Sequence, residues 1–226
     1  AGDSLRRIHW PTSARRGRLT ILEYERHLTR QMGIFIDLSR GSLRGLGRQS
    51  TAEVAVRVAA AVAGQTLNAG GRVSLHARGR RSVDIPAGRG NAQLCRILAE
   101  LATVRPDGEL PLSEILEARI TSLARRQAVL CVIAPGDDAQ RVLALGSGLR
   151  ERGHPFLAVL LDPSSFPLLR EEQAPQLTPS FAQLKESCLA HGATVYVVRA
   201  AQTLLDAFHT PYSGRPRVRI TKRMLS

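Results

Sequence analysis

The stretch Gly33-Ile-Phe-Ile-Asp-Leu-Ser39 decides the fold class of this chain of 226 residues. An uninterrupted apolar run that stops at an acidic residue predicts a short strand, buried on both faces, that ends at Asp37. Strands of this kind belong to parallel sheets covered by helices, and such sheets bind ligands beyond the carboxyl ends of their strands. We therefore expect Asp37 and Ser39 to lie where a functional site would form.

Strand and helix patterns alternate along the rest of the chain. Strands separated by helical segments of about ten or more residues predict βαβ units, and hence an α/β fold with a mainly parallel sheet and helices on both faces. Two strands are separated only by Arg78-Gly-Arg-Arg81, which predicts one antiparallel hairpin strand. The expected strands are residues 33–37, 72–77, 82–85, 128–133, 156–161 and 194–198, and the expected helices are residues 51–68, 92–103, 112–125, 137–152, 180–191 and 201–208.

The chain divides into three parts on this pattern. Residues 1–30 form a basic arm and an extended segment that we assign to a preceding domain, residues 31–210 form the sheet domain, and residues 211–226 form a basic tail. No segment has the length and hydropathy of a membrane-spanning helix or the layout of a signal peptide. We expect either a cytoplasmic protein or the cytoplasmic part of a protein whose anchor lies upstream of residue 1.

The composition bears on possible partners and indicates a reducing compartment. Lys and Arg number 32 against 19 acidic residues, and the resulting net charge of +13 favours contact with phosphates, anionic lipid or an acidic protein. A solvated basic surface explains the same charge. The three cysteines lie far apart without Cys-x-x-Cys spacing, which argues against disulfides and against a zinc site.

The residues after the first buried strand resemble the start of a metal-ion-dependent adhesion site. That motif reads Asp-x-Ser-x-Ser, and here the sequence is Asp37-Leu-Ser-Arg-Gly-Ser42. Gly41 stands at the third position, Ser42 comes one residue late, and Arg40 brings a positive charge. Hard divalent cations need several oxygen ligands, so Asp37, Ser39 and Ser42 form a degenerate site unless distant loops add more. The alternative is that Asp37 accepts hydrogen bonds from loop amides while Ser39 caps the turn.

Other chemistry has weaker support in the sequence. Gly45-Leu-Gly-Arg-Gln-Ser50 precedes a helix, as in a dinucleotide-binding fingerprint, but it lies about eight residues beyond the strand and lacks the third glycine. Neither a nucleophile elbow nor a His-Glu-x-x-His motif occurs in the sequence. An enzyme is supported only by the position of Asp37, without a second carboxylate or base to complete an acid and base pair. We expect no catalytic residues, no cofactor and no small-molecule substrate.

The N-terminal segment resembles the signature of a bacterial family, domain of unknown function 58. It runs Gly2-Asp-Ser-Leu-Arg-Arg-Ile-His-Trp10 and continues through Ser13-Ala-Arg-Arg-Gly-Arg-Leu19, which follows the family's series of Gly-Asp, Arg, Ile, Trp, Ser-Ala-Arg and Gly-x-Leu. The resemblance implies a von Willebrand factor A-like fold. It also implies a partnership with MoxR-type AAA+ ATPases and a role in assembling or maturing other proteins.

The adhesion-site pattern departs from well-formed relatives at its later positions. The later Thr position falls near Leu110 and the later Asp position near Pro135, and neither side chain can bind a cation. We therefore expect weak or absent Mg²⁺ binding.

Together these observations predict a non-enzymatic protein-interaction module that engages a MoxR-type ATPase or a client protein through the loops at the carboxyl ends of the strands. The alternative is arginine-driven binding to nucleic acid or to an anionic membrane surface, with nucleic acid the less expected of the two. The arginines of the arm are equally explained as solvated side chains beside a Trp10 that anchors the arm. The expected interaction residues are Arg6, Arg7, Trp10, Arg15, Arg16, Arg40, Arg44 and Arg48.

Overall fold

The computed structural model describes residues 31–134, 136, 138–167, 181–190, 192–209 and 212. The basic arm with its extended segment and the basic tail therefore lie outside the described residues. Within the described part of the chain, no helix is long and apolar enough to cross a membrane.

A six-stranded sheet forms the centre of the domain. Its strands are β1 (Gln31–Ile36), β2 (Arg72–Arg78), β3 (Ser82–Gly88), β4 (Ala128–Ile133), β5 (Phe156–Leu161) and β6 (Thr194–Val198). The spatial order is β3-β2-β1-β4-β5-β6, and every pair of neighbours is parallel except β2 and β3, which form the antiparallel hairpin. Because Ile36 pairs with both Ala77 and Val132, the carboxyl ends of β1, β2 and β4 meet at one edge.

Burial along the strands follows their places in the sheet. Every residue of β4 and of β5 is buried, because helices cover both faces of these interior strands. The edge strand β3 alternates between buried and exposed residues in its first half, since Asp84 and its neighbours on that face have only partial cover. The continuous apolar runs in the sequence therefore correspond to the interior strands.

Six helices flank the sheet in the described residues, three on each face. They are α1 (Thr51–Asn68), α2 (Gly90–Leu101), α3 (Leu112–Glu117), α4 (Ala139–Glu151), α5 (Phe181–Ala190) and α6 (Leu204–His209). Apolar residues of α1, α2 and α6 pack into one core layer, and those of α3, α4 and α5 pack into the other. The predicted arrangement of helices on both faces is what the structure shows.

Two predicted helices are shorter than their sequence patterns indicate. The helix expected at residues 112–125 ends at Glu117 and is followed by a 3₁₀ turn at Ile120–Ser122. The chain must turn back there to enter β4, and Arg126 adopts a left-handed φ of 57° in that turn. The helix expected at residues 201–208 begins only at Leu204, because residues 200–202 form a turn after β6.

Candidate functional site

Asp37 lies half-buried immediately beyond β1, at the edge where the carboxyl ends of the parallel strands meet. Burial raises the pKa of its carboxyl, and the negative charge of Asp138 raises it further. The Ser39 amide, which donates to Asp37 Oδ1 over 2.9 Å, and the hydroxyls of Ser39 and Ser42 act in the opposite direction. The structure thus brings together the three residues that the sequence assigned to a degenerate metal site.

The turn after Asp37 is held by backbone and hydroxyl contacts. Ser42 Oγ donates to the carbonyl oxygen of Ser39 over 2.8 Å, whereas Ser39 makes no side-chain cap to the short 3₁₀ helix at Arg40–Ser42. The alternative interpretation of this motif is therefore correct for Asp37 as an acceptor of a loop amide and wrong for Ser39 as the cap. The Ser39 hydroxyl acts instead on the Asp37 carboxyl.

Two oxygen-bearing residues that the sequence did not indicate lie at the same edge. Asp138 precedes α4, and its Oδ2 accepts the backbone amide of Ser113 over 2.8 Å. Ser113 is fully buried, and its Oγ has no hydrogen-bond partner among the described residues. A buried hydroxyl without a partner is unfavourable by about 1–3 kcal/mol, so the unsatisfied oxygen of a residue whose amide is bound to Asp138 is a feature that a cation would explain.

The positions that the motif assigned to these roles do not supply them. Leu110 lines a cavity of about 230 Å³ on the other side of α3, together with His76 and Arg119. Pro135 lies outside the described residues. Ser113 and Asp138 each lie three residues after these positions.

The donor set suits a hard cation, but it is sparse. Two carboxylates and three hydroxyls are available from Asp37, Asp138, Ser39, Ser42 and Ser113, and oxygen ligands of this kind are those that Mg²⁺ prefers. No group of three or more His, Cys, Asp or Glu side chains in the described residues could hold a metal ion. The residues therefore fit a weak Mg²⁺ site better than a strong one.

The loop between Ser39 and α1 carries the predicted interaction residues on a fixed backbone. Thr51 Oγ1 donates to the Ser42 carbonyl over 2.9 Å and accepts the Arg44 amide over 3.0 Å. The Arg44 guanidinium donates to the carbonyls of Leu43 and Gly41, at 2.8 and 3.1 Å. The Arg44 side chain therefore stabilises the loop through hydrogen bonds to the loop's own backbone.

The same loop presents an apolar side chain that the sequence did not indicate. Leu46 is 65% exposed between Gly45 and Gly47, whose φ values of 74° and 52° lie in the left-handed region. A Cβ on Gly45 would collide with the carbonyl of Gln49, so this conformation requires glycine. Exposed Arg40 and Arg48 lie on either side of Leu46 along the loop. An exposed apolar side chain between exposed arginines is a feature found at surfaces that contact other proteins.

A second loop is joined to the site by two backbone hydrogen bonds. The Gly108 amide donates to the Leu38 carbonyl over 3.0 Å, and the Arg40 amide donates to the Gly108 carbonyl over 2.9 Å. A Cβ on Gly108 would overlap the Arg78 carbonyl and lie 3.1 Å from Gly79 Cα. The loop after β1, the hairpin turn and the loop before α3 therefore form one compact unit.

A Ser-His-Asp chain of hydrogen bonds lies below this edge, on the α3 face. His76 Nδ1 is 2.7 Å from Asp84 Oδ1, and His76 Nε2 is 3.1 Å from Ser74 Oγ. Asp84 also pairs with Arg119. Ser74 is only 3% exposed, and Gln127 Nε2 approaches its hydroxyl from the opposite side. The chain satisfies polar groups inside the fold and does not present a hydroxyl for attack on a substrate.

The predicted interaction residues fall into two groups. Arg40, Arg44 and Arg48 lie on the loop described above. Arg6, Arg7, Trp10, Arg15 and Arg16 lie outside the described residues.

The strand order and the antiparallel edge strand β3 define the class of protein: an α/β protein with a six-stranded, mainly parallel sheet covered by helices on both faces. Residues 1–154 match the family described as Protein of unknown function DUF58, so the chain belongs to that family. A search of curated proteins found no match.

Two solved structures share the fold at low sequence identity. One is an aerotolerance-related membrane protein from Bacteroides fragilis NCTC 9343 with multiple mutations to serines, at 13% identity and a TM-score of 0.52. The other is the conserved hypothetical protein BatB from Bacteroides thetaiotaomicron, at 13% identity and a TM-score of 0.54. Each similarity covers 75% of this chain and 90% of the other. At this identity, the similarity concerns the fold alone.

Proposed function

We propose that the chain is a non-enzymatic protein-interaction module that binds a MoxR-type AAA+ ATPase, or a client protein, in the assembly or maturation of other proteins. Its binding surface is the carboxyl edge of the sheet, made by the loop from Ser39 to Ser50 and the residues around Asp37. The observation that carries the proposal is the exposure of Leu46 between exposed Arg40 and Arg48 on the loop that follows Asp37. Membership of the family supports the choice of partner.

The proposed site also binds Mg²⁺ weakly, as a degenerate adhesion site. Asp37, Ser39, Ser42, Ser113 and Asp138 would hold the cation, and a bound cation would offset the repulsion between the two carboxylates and accept a further oxygen from a partner. Without a cation, these residues still hold the segment after β1 and the segment before α4 in position. Burial of Ser113 keeps its hydroxyl from bulk water. The raised pKa of Asp37 and the unpartnered Ser113 Oγ support this part of the proposal.

The interaction is tested by capture of the purified cognate ATPase on the immobilised full chain. We expect Leu46→Ala to reduce capture about tenfold, since truncation of a central apolar contact removes on the order of 1–2 kcal/mol of binding free energy. Leu189→Ala, which truncates another half-exposed leucine on α5, is the matched control. Capture that Leu46→Ala leaves unchanged would contradict the proposed surface.

The cation is tested separately by thermal unfolding with and without MgCl₂. A ligand at ten times its dissociation constant stabilises the folded state by about 1.4 kcal/mol, so about 10 mM MgCl₂ should raise Tm by about 3 °C if the dissociation constant is near 1 mM. Ser113→Ala should remove most of the response. CaCl₂ and NaCl at matched ionic strength control for screening, and an equal shift with NaCl would reject a specific site.

A further inference from the structure

A small cavity beside the proposed interaction surface has an apolar floor and a basic rim. Its volume is about 170 Å³, and it opens between the β2–β3 turn and the segment after α2. Leu38 and Val83 on its floor are 1% and 4% exposed. Small-molecule sites usually enclose about 300–1,000 Å³. This cavity is therefore too small for a cofactor and has room for one branched apolar side chain.

The walls of the cavity are fixed by short-range contacts. The Arg80 amide donates to Asp107 Oδ1 over 2.7 Å, and a Cβ on Gly79 would lie 2.6 Å from the carbonyl oxygen of Arg105. The Arg81 guanidinium reaches Thr103 Oγ1 at 3.1 Å and also pairs with Glu100. Because both walls are held in place, a ligand would meet a preformed shape.

The charges around the cavity are unbalanced. Glu100 is paired with Arg81, and Asp107, which accepts the backbone amide of Arg80, adds one negative charge to the three arginines that line the cavity, Arg80, Arg81 and Arg105. The guanidinium groups of Arg80 and Arg105 are exposed, and neither has an ion-pair or hydrogen-bond partner within the described residues. Two positive charges without partners therefore flank an apolar floor.

We propose that this cavity binds one branched apolar side chain of a protein partner, while carboxylates on either side of that side chain pair with Arg80 and Arg105. Arginine binds carboxylates through two parallel N–H donors, which suits recognition of an acidic segment. The cavity belongs to the same edge as the proposed interaction surface, because Leu38 lines it and Gly108 joins the loops on either side. The inference rests on the proposed function and gives the chemical class of the segment that is recognised.

The probe is acetyl-Glu-Leu-Glu-amide, titrated into the ¹⁵N-labelled full chain and followed by the amide resonances of Gly79, Thr103 and Val104. We expect saturable shifts at these amides. The peptide with Ala in place of Leu should bind about 50-fold more weakly, since it lacks three buried carbon atoms at about 0.8 kcal/mol each. Acetyl-Lys-Leu-Lys-amide should not bind. Equal affinity for the Leu and Ala peptides, or tighter binding of inorganic phosphate than of the Leu peptide, would overturn the proposal.

Two variants and a control test the named residues. Arg105→Glu reverses a rim charge and should weaken binding at least tenfold, and Val104→Phe should fill the cavity and abolish it. Arg152→Glu makes the same charge change at an exposed position after α4 and should bind as the wild type does. An unchanged resonance pattern elsewhere shows that each variant is folded. Wild-type affinity in Arg105→Glu would overturn the proposal.

The outcome is distinguishable from that of the proposed function. If the peptide does not bind at the cavity while capture of the ATPase depends on Leu46, the cavity inference fails and the proposed interaction function is retained. If the peptide binds at the cavity while no ATPase is captured, the cavity inference holds and the partner assignment fails.

Discussion

Asp37 carries a negative charge where burial and the nearby charge of Asp138 both disfavour it. Its pKa is therefore higher in the folded state than in the unfolded chain. Ionised Asp37 lowers the free energy of unfolding at neutral pH, and stability returns as the pH falls through the folded-state pKa.

Asp37→Asn should therefore stabilise the metal-free protein. Asparagine removes the charge and keeps an oxygen that can accept the Ser39 amide, so the free energy of unfolding should increase at pH 7. Each kcal/mol regained raises Tm by about 2–4 °C in a chain of this size. Calorimetry in EDTA measures the change, and Glu151→Gln, at an exposed position, should shift Tm by less than about 2 °C. A lower Tm in Asp37→Asn would mean that the folded state stabilises the charge.

His76 has the opposite linkage to pH. Burial lowers its pKa in the folded state, against the favourable contact with Asp84, and its ring stacks on Phe35 with 4.7 Å between centroids. As the pH falls below about 6.5, the unfolded chain takes up a proton that the folded protein does not, so the free energy of unfolding decreases.

Urea unfolding between about pH 7.5 and 5.5 measures this linkage, whose slope for one proton is at most about 1.4 kcal/mol per pH unit. His76→Gln should be less stable at neutral pH, because Ser74 and Asp84 lose a partner, and should show a shallower decline on acidification. His154→Gln, which changes a histidine beside the Gln127 carbonyl, should keep most of the wild-type slope. Equal slopes in wild type and His76→Gln would exclude His76 as the source.

At the scale of elements, α4 approaches the sheet through a single glycine. A Cβ on Gly146 would lie 2.6 Å from Phe156 Cζ on β5, whereas a Cβ on Gly148, half a turn further along α4, would meet nothing within 4 Å. The close contact between helix and strand thus depends on the absence of one carbon atom.

The two glycines predict opposite effects of the same substitution. Gly146→Ala should destabilise the fold by about 1–3 kcal/mol through overpacking. Gly148→Ala should stabilise it by about 0.5–1 kcal/mol, since alanine loses less backbone entropy in a helix interior. Chemical denaturation of both variants makes the comparison, and destabilisation by Gly148→Ala would show that α4 is more tightly packed than the structure indicates.

The sequence predicted the strands better than the helices, for physical reasons. Interior strands are apolar at every position, so β4 and β5 were visible as continuous runs. The end of α3 was not visible, because Ile120 and Leu123 continue the apolar spacing beyond Glu117 while the chain already turns toward β4. Helical spacing reports which side chains meet a core, not where the backbone turns.

The candidate site was predictable only in its first segment. Asp37, Ser39 and Ser42 are close in sequence and follow a recognisable strand. Ser113 lies in the first turn of α3 and Asp138 immediately before α4, and the contact between the Ser113 amide and Asp138 brings them together. The spacing of the adhesion-site motif pointed instead to Leu110 and Pro135, and no sequence pattern singles out Ser113 or Asp138.

At the scale of the whole molecule, the location of the positive charge matters more than its sum of +13. Exposed Arg40 and Arg48 lie at the proposed binding edge, whereas exposed Arg89 and Arg152 lie where β3 and α4 end at the opposite edge of the sheet. An acidic partner that docks at one edge would respond to the first pair and not to the second.

Two double variants with equal net charge test this. Arg40→Glu with Arg48→Glu should reduce capture of the ATPase by at least tenfold and weaken its dependence on salt, since rim charges act mainly on association. Arg89→Glu with Arg152→Glu should bind like the wild type. Equal losses in both double variants would indicate that total charge drives the interaction, as expected for nucleic acid or an anionic membrane surface.

Gly108 has a consequence for the history of the family. A side chain at this position would separate the loop after β1 from the hairpin turn, because its Cβ would overlap the Arg78 carbonyl. A relative with a side chain at this position must therefore shift at least one of the loops that meet there. Relatives that keep the glycine should share the shape of the edge even where their partners differ.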